Sequence, residues 1–158
     1  MKLLTIPLPY KSQAKNRKSD ALMTVNVQRN LHYNAAANFK RNYGILCRQA
    51  VEEAKLTPMG HVAITYTIHT KPTKGSPTVK EPYRGSLPKQ IDLLNVGAVI
   101  DKVMSDVLVD MGIIPDDSIR HVQRLTFHTD PWADSEFVTV AITAIKPIKD
   151  PRRSDEDN

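Results

Sequence analysis

The spacing of apolar residues along the chain predicts two helices and four strands. An apolar residue at every third or fourth position predicts helices from about Asn34 to Ala54 and from Ile91 to just before Gly112. Stretches of alternating apolar and polar residues, rich in β-branched side chains, predict strands. These strands cover Leu3 to Ile6, His61 to Thr70, Arg120 to His128 and Glu136 to Ile145. The order β-α-β-α-β-β favours a single α/β (α+β) domain in which the helices pack on one mixed sheet.

Polar stretches separate these elements and end the chain. Residues 10–29 are basic and are predicted to form a loop. Residues 71–90 form a longer connection with five basic residues and one acid, and loops of that length inside a domain are usually functional or disordered. Residues 147–158 are charged and contain proline, which predicts a disordered tail after a domain of residues 1–146.

Composition and missing motifs narrow the class of function. A formal charge of +5 over 158 residues favours a polyanionic partner such as nucleic acid. Cys47 is the only cysteine, which excludes an internal disulfide and a cysteine-based zinc site and favours a buried thiol. The sequence has no Walker-type glycine loop, no G-x-S-x-G and no H-E-x-x-H. Nucleotide hydrolysis, esterase and zincin chemistry are therefore not expected.

The second predicted helix concentrates polar chemistry on one face. At about 100° per residue, four of its polar residues fall within an arc of roughly 80°. These residues are Asp92, Asn95, Lys102 and Asp106. A glycine turn follows, and then the adjacent carboxylates Asp116 and Asp117. Mg²⁺ prefers oxygen ligands, and phosphodiester hydrolysis gains from such ions, so the pattern indicates a metal site if the fold or a dimer partner brings the two ends of the helix together.

Each of these residues also has a purely structural interpretation. Asp92 is placed to cap the N-terminus of the helix, where its charge complements the helix dipole. Asp116 and Asp117 are of a residue type that is favoured in turns. Lys102 and Asp106 lie four residues apart, as in an exposed ion pair on a helix. From the residues alone, the structural and the metal-site interpretations both stay open.

The segment DVLVDMGIIPDDS, from Asp106 to Ser118, resembles the motif of RusA-type Holliday junction resolvases, the crossover junction endodeoxyribonucleases. Lys102 matches a lysine of that family. The N-terminal strand LLTIPLP and the order of elements are similar as well. The resemblance covers most of Leu3 to Ile145 and is specific between Asp92 and Asp117, where the chain looks like a phage or prophage variant.

This resemblance implies a RusA-like fold and a homodimeric, Mg²⁺-dependent (or Mn²⁺-dependent) endonuclease that nicks four-way DNA junctions symmetrically in recombination and repair. It implies metal ligation by Asp92, Asn95, Asp116 and Asp117. It implies catalytic roles for Asp92, Lys102 and Asp117, with the lysine stabilising charge on the scissile phosphate. The chain departs from the family at Leu94, which stands at the second aspartate of D-x-D-N. About four residues, one helical turn, are also inserted between Asn95 and Lys102.

The resemblance also implies a DNA-binding surface. Nine basic residues of the polar segments are predicted to contact the DNA backbone: Lys11, Lys15, Arg17, Lys18, Lys71, Lys74, Lys80, Arg84 and Lys89. No small-molecule cofactor is expected. The first residues have too short an apolar run for a signal peptide or a membrane span, so we expect no membrane partner and a cytoplasmic location in a bacterial host. Three alternatives stay open: a catalytically impaired branched-DNA-binding protein of the same fold, a metal-dependent nuclease for other branched DNA, and a purely structural or protein-interaction role.

Overall fold

A computed structural model describes residues 1–15, 21–74 and 85–153 of the protein. The described part contains six strands: β1 (Lys2–Ile6), β2 (Val62–His69), β3 (Thr73–Lys74), β4 (Ser86–Leu87), β5 (Val122–Asp130) and β6 (Phe137–Ala144). Four of these strands form a mixed sheet in the order β1-β6-β2-β5, with β2 and β5 parallel and the other pairs antiparallel. The strands β3 and β4 pair with each other in a separate two-stranded antiparallel sheet. The prediction of one mixed sheet is confirmed.

Four helices are present in the same described ranges: α1 (Ser12–Lys15), α2 (Val25–Arg29), α3 (Tyr33–Glu53) and α4 (Leu93–Asp110). The long helices α3 and α4 lie within two residues of their predicted bounds. The short helices α1 and α2 show that the prediction of a loop over residues 10–29 was wrong in part. At the start of α2 the Thr24 hydroxyl accepts a hydrogen bond from the Val27 N–H (3.1 Å), and α1 buries Ala14 in the core.

The helices pack on one face of the sheet. Every second residue of β2 is buried on that face: Val62, Ile64, Tyr66 and Ile68. α3 packs on β1 and on α4, while α4 packs on β5. A parallel pair such as β2 and β5 needs a crossover connection, and α4 lies in that connection. The fold therefore places the outer face of α4 beside the edge strand β5.

The polar segments are described only in part. Residues 16–20 and 75–84 lie outside the described residues. In the predicted tail, residues 147–153 contain no helix or strand, and the Ile148 N–H donates to Gln123 Oε1 (2.9 Å), while residues 154–158 lie outside the described part. Within the described ranges, no helix is long and apolar enough to cross a membrane.

Candidate functional site

The outer face of α4 carries the charged side chains of the candidate site. The helix is amphipathic: Val103, Met104 and Leu108 are buried against the core, whereas Lys102 and Asp106 face solvent. The Lys102 side chain is 60% exposed and the Asp106 side chain 51% exposed. The apolar face thus fixes the rotation of α4 about its axis, and that rotation presents both charged groups to solvent.

A glycine turn at the end of α4 sends the chain back along the helix. Gly112 has a φ of +71°, a left-handed conformation that costs other residues more than glycine. The Gly112 N–H donates to the Val109 carbonyl (3.0 Å). The Ile113 N–H donates to the Leu108 carbonyl (2.9 Å), and both of these side chains are buried. This Schellman pattern closes the helix and returns the chain so that Asp117 lies beside α4.

Lys102 lies between two carboxylates. Its Nζ is 3.0 Å from Asp106 Oδ1, one helical turn away, and 3.5 Å from Asp117 Oδ2, which follows the glycine turn. The pKa of Lys102 is raised above its ordinary value of 10.5, first by the hydrogen bond and charge of Asp106 and then by Asp117. The ammonium therefore keeps its charge at neutral pH.

Asp101, which the sequence did not single out, is held by two hydroxyl groups. Its Oδ1 accepts hydrogen bonds from the Tyr66 hydroxyl (2.8 Å) on β2 and from Ser105 Oγ (3.1 Å) on the next turn of α4. The pKa of Tyr66 lies well above its ordinary value of 10.0, mainly because the side chain is buried and also because Asp101 is negatively charged. The tyrosine thus keeps its proton and acts as the donor. The adjacent letters D-K were the only signal of Asp101 in the sequence.

Asp101, Lys102 and Asp117 line one depression between α4 and β5, with a volume of about 530 Å³. Apart from Ser105, the other side chains that line it are apolar and include Leu94, which is 69% exposed, and Phe127. Two carboxylates and an ammonium therefore open onto the same space, although they come from a helix and from the turn that follows it. We call Asp101, Lys102 and Asp117 the α4 site.

Asp92 and Asn95 lie at the other end of the helix. Asp92 caps α4: its Oδ1 accepts from the Asn95 N–H (3.2 Å) and its Oδ2 accepts from the Asn95 side-chain amide (2.7 Å). Asp92 lines a separate depression with Lys89. Because a helix rises about 1.5 Å per residue, Asp92 is about 15 Å from Lys102 along the helix axis. Within one chain, the cap and the α4 site are separate.

Asp116 stabilises the turn after the helix. Its Oδ1 accepts from the Ser118 N–H (2.8 Å), and its Oδ2 is 3.4 Å from the Nε2 of His121. The hydrogen bonds from Ser118, followed by the positive potential of His121 and Arg120, lower the pKa of Asp116. The structural interpretations of Asp92 and Asp116 are therefore both observed, whereas Asp117 turns toward Lys102.

The donor set of the α4 site suits a hard cation. Mg²⁺ is usually held by one or two carboxylates, and waters and substrate phosphate oxygens complete its coordination. Asp101 and Asp117 supply two carboxylates in one depression. Among the described residues, no three His, Cys, Asp or Glu side chains form a cluster that would hold a metal ion by themselves. Two carboxylates are the number that Mg²⁺ commonly takes from a protein when a substrate completes its coordination.

The predicted DNA-binding residues are only partly described. Lys71 and Lys74 are exposed and Lys11 is partly buried. Lys89 forms an ion pair with Glu136 (3.0 Å), which compensates its charge. The remaining five predictions lie outside the described residues or side chains: Lys15, Arg17, Lys18, Lys80 and Arg84.

No protein-family model matches the chain, and no curated protein matches it either. The chemistry of the α4 site therefore has to be inferred from its own residues. The ammonium of Lys102 is suited to neutralise a phosphate oxygen. The carboxylates of Asp101 and Asp117 are suited to hold a divalent cation or to orient water. An ammonium and two carboxylates are groups of the kinds that can take part in metal-assisted phosphodiester chemistry.

Proposed function

We propose that this protein is a metal-dependent endonuclease of the RusA type, which resolves four-way DNA junctions by paired nicks. The observation that carries the proposal is the contact of Lys102 with Asp117 in a depression that Asp101 also lines. An isolated helical ion pair would need only Asp106 as a partner. The second carboxylate, supplied by the turn, is what an exposed structural pair does not explain.

In this proposal, Lys102 stabilises the negative charge that develops on the phosphate oxygens during cleavage. Its raised pKa keeps it protonated at neutral pH. Asp101 and Asp117 would hold a Mg²⁺ or Mn²⁺ ion, which when bound supplies an activated water and neutralises charge on the phosphate. Tyr66 and Ser105 both bind Oδ1 of Asp101, so they orient the carboxylate without occupying Oδ2.

The proposed partner is branched DNA, and the proposed assembly is a homodimer. A four-way junction presents two equivalent strands, and a dimer with twofold symmetry would place one α4 site on each of them. The formal charge of +5 supports a polyanionic partner. The geometry favours Asp101 over Asp92 as the carboxylate that acts beside Asp117, because both oxygens of Asp92 are engaged by Asn95 at the helix cap.

One observation favours a second candidate, a branched-DNA-binding protein of the same fold that does not cleave. Leu94 presents an exposed apolar side chain at the position where the resemblance implies an aspartate. A protein that has given up one carboxylate could still bind a junction through its positive charge. This candidate predicts tight binding without nicks, unchanged by Asp117→Asn.

The test is cleavage of an end-labelled four-way junction, a flap and a matched duplex, with Mg²⁺ or with EDTA. Asp117→Asn is compared with Asp134→Asn, which removes an exposed carboxylate outside the depression. We expect symmetric, Mg²⁺-dependent nicks in the junction that are lost in Asp117→Asn and kept in Asp134→Asn. Binding without nicks in every variant would instead support the second candidate. Preferred cleavage of the flap would identify a nuclease of different specificity.

A further inference from the structure

A second groove lies on the opposite side of Lys102 from the α4 site. It runs between α2, α3 and α4, with a volume of about 540 Å³. Its walls include Lys102 and Asp106, while Val99 and Val103 form part of its apolar floor. Lys102 therefore lines both this groove and the depression that holds Asp101 and Asp117. We call it the α3–α4 groove.

Four basic side chains line the wall of the α3–α4 groove that faces α4: Arg29, Lys40, Arg41 and Arg48. All four are exposed. Arg41 and Arg48 lie on one face of α3, two turns and about 11 Å apart along the helix axis. Since the phosphates of one DNA strand are about 3.4 Å apart along the duplex axis, this wall is long enough to meet more than one phosphate.

The charge of the groove is strongly one-sided. Five cations, including Lys102, face two carboxylates, Asp106 and Asp110. Among the residues that the structure describes, none of the four basic side chains from α2 and α3 forms an ion pair with an acid. One of the two carboxylates, Asp106, is already neutralised by Lys102. A groove with this excess of positive charge attracts a polyanion.

We propose that the α3–α4 groove binds the phosphodiester backbone of one DNA arm and leads the strand across Lys102 to Asp101 and Asp117. This inference deepens the proposed function and rests on it. Arginine guanidinium groups donate paired hydrogen bonds to phosphate oxygens, which suits Arg41 and Arg48 to hold a strand in register. None of the nine predicted DNA contacts whose side chains the structure describes lines this groove, so α3 adds a separate surface to the proposed DNA interface.

The test measures binding of a labelled four-way junction by fluorescence anisotropy in EDTA, from low to moderate salt. The double variant Arg41→Gln/Arg48→Gln is compared with Lys2→Gln/Lys146→Gln, which removes the same charge from exposed positions outside the groove. Each lost phosphate contact lowers the slope of log K against log salt by about 0.9. We expect the groove variant to lose about 2 units of slope and at least about tenfold in affinity, and the control to change little.

A third variant, Asp110→Asn, controls for misfolding, because it is expected to bind the junction more tightly and a misfolded protein would not. Asp110 lines the groove, and removing its negative charge should tighten junction binding by about two- to threefold.

Unchanged slope and affinity in the groove variant, or an equal loss in the control, would overturn the inference. If the wild-type protein nicks the junction and the groove variant keeps the full slope of log K against log salt, the proposed role of the groove is wrong and the nuclease function stands. If the wild-type protein binds through the groove without nicking, only the nuclease function is wrong. If it binds no DNA, both the nuclease function and the role of the groove are wrong.

Discussion

The Tyr66 hydroxyl donates a 2.8 Å hydrogen bond to Asp101, which ties the middle of the sheet to the charged face of α4. Tyr66 is completely buried, while Asp101 is partly exposed in the depression that it shares with Lys102. A core residue thereby fixes the orientation of a carboxylate at the candidate site. Side chains locked by packing and hydrogen bonds are what a catalytic arrangement requires.

Replacing Tyr66 by Phe should separate this positioning role from stability. The matched control is Tyr43→Phe, because Tyr43 is equally buried and its hydroxyl donates a 2.8 Å bond to the Pro7 carbonyl, away from the site. Each variant should lose about 1–2 kcal/mol in the free energy of unfolding. Only Tyr66→Phe should slow single-turnover nicking, by about tenfold. Equal nicking rates for the two variants, measured under conditions in which both are fully folded, would show that Tyr66 does not position the site.

The protonation of Lys102 gives a second prediction. Its raised pKa means that its ion pairs stabilise the fold fully below pH 10.5 and that this contribution is lost as the pH rises through the folded-state pKa. Nicking should therefore not decline between about pH 7 and about pH 9 through loss of the Lys102 proton. NMR titration of the lysine side chain should give a lower Lys102 pKa in Asp106→Asn than in Asp117→Asn. The reverse order would contradict the dominant role of Asp106.

Two glycines on the long helices should respond to alanine with opposite signs. A Cβ at Gly97 would lie 2.8 Å from the Phe127 ring, which stacks on Tyr66 at 5.3 Å. A Cβ at Gly44 would meet Val103 at an ordinary 3.9 Å. Alanine gains about 1 kcal/mol of helix propensity at either site, but overpacking against a ring costs about 1–3 kcal/mol.

We therefore expect Gly44→Ala to raise the free energy of unfolding by up to about 1 kcal/mol and Gly97→Ala to lower it by about 1 kcal/mol. Chemical denaturation of both variants, with unchanged m-values, measures this. Stabilisation by Gly97→Ala would mean that Phe127 moves freely, and that the stack on Tyr66 is not needed to hold the site.

The sequence predicted the elements of the fold better than the contacts of the site. Apolar periodicity is local, so α3, α4 and the four sheet strands lie close to their expected bounds. The sequence did not predict the short helix α2, which begins at the cap from Thr24 and contains no buried residue. Periodicity over five residues carries too little information to identify such a helix.

The site depends on contacts between elements that are distant in sequence. The cap at Asp92 was foreseeable from residue type, and the structure has it. The approach of Asp117 to Lys102 depends on how the Gly112 turn directs the following chain. The selection of Asp101 depends on Tyr66, which reaches it from another strand. The spacing of residues in a single sequence predicts neither the Lys102–Asp117 contact nor the Tyr66–Asp101 hydrogen bond.

Single-turnover cleavage of a labelled four-way junction with Mg²⁺ tests most directly whether Asp101, and not Asp92, is the carboxylate that acts beside Asp117. Asn is as good a helix cap as Asp, so Asp92→Asn keeps the fold while removing the carboxylate. We expect Asp101→Asn to lose about 100-fold or more in nicking rate and Asp92→Asn to stay within a few fold of wild type. An inactive Asp92→Asn beside a fully active Asp101→Asn would contradict the claim and place the chemistry at the N-terminus of α4.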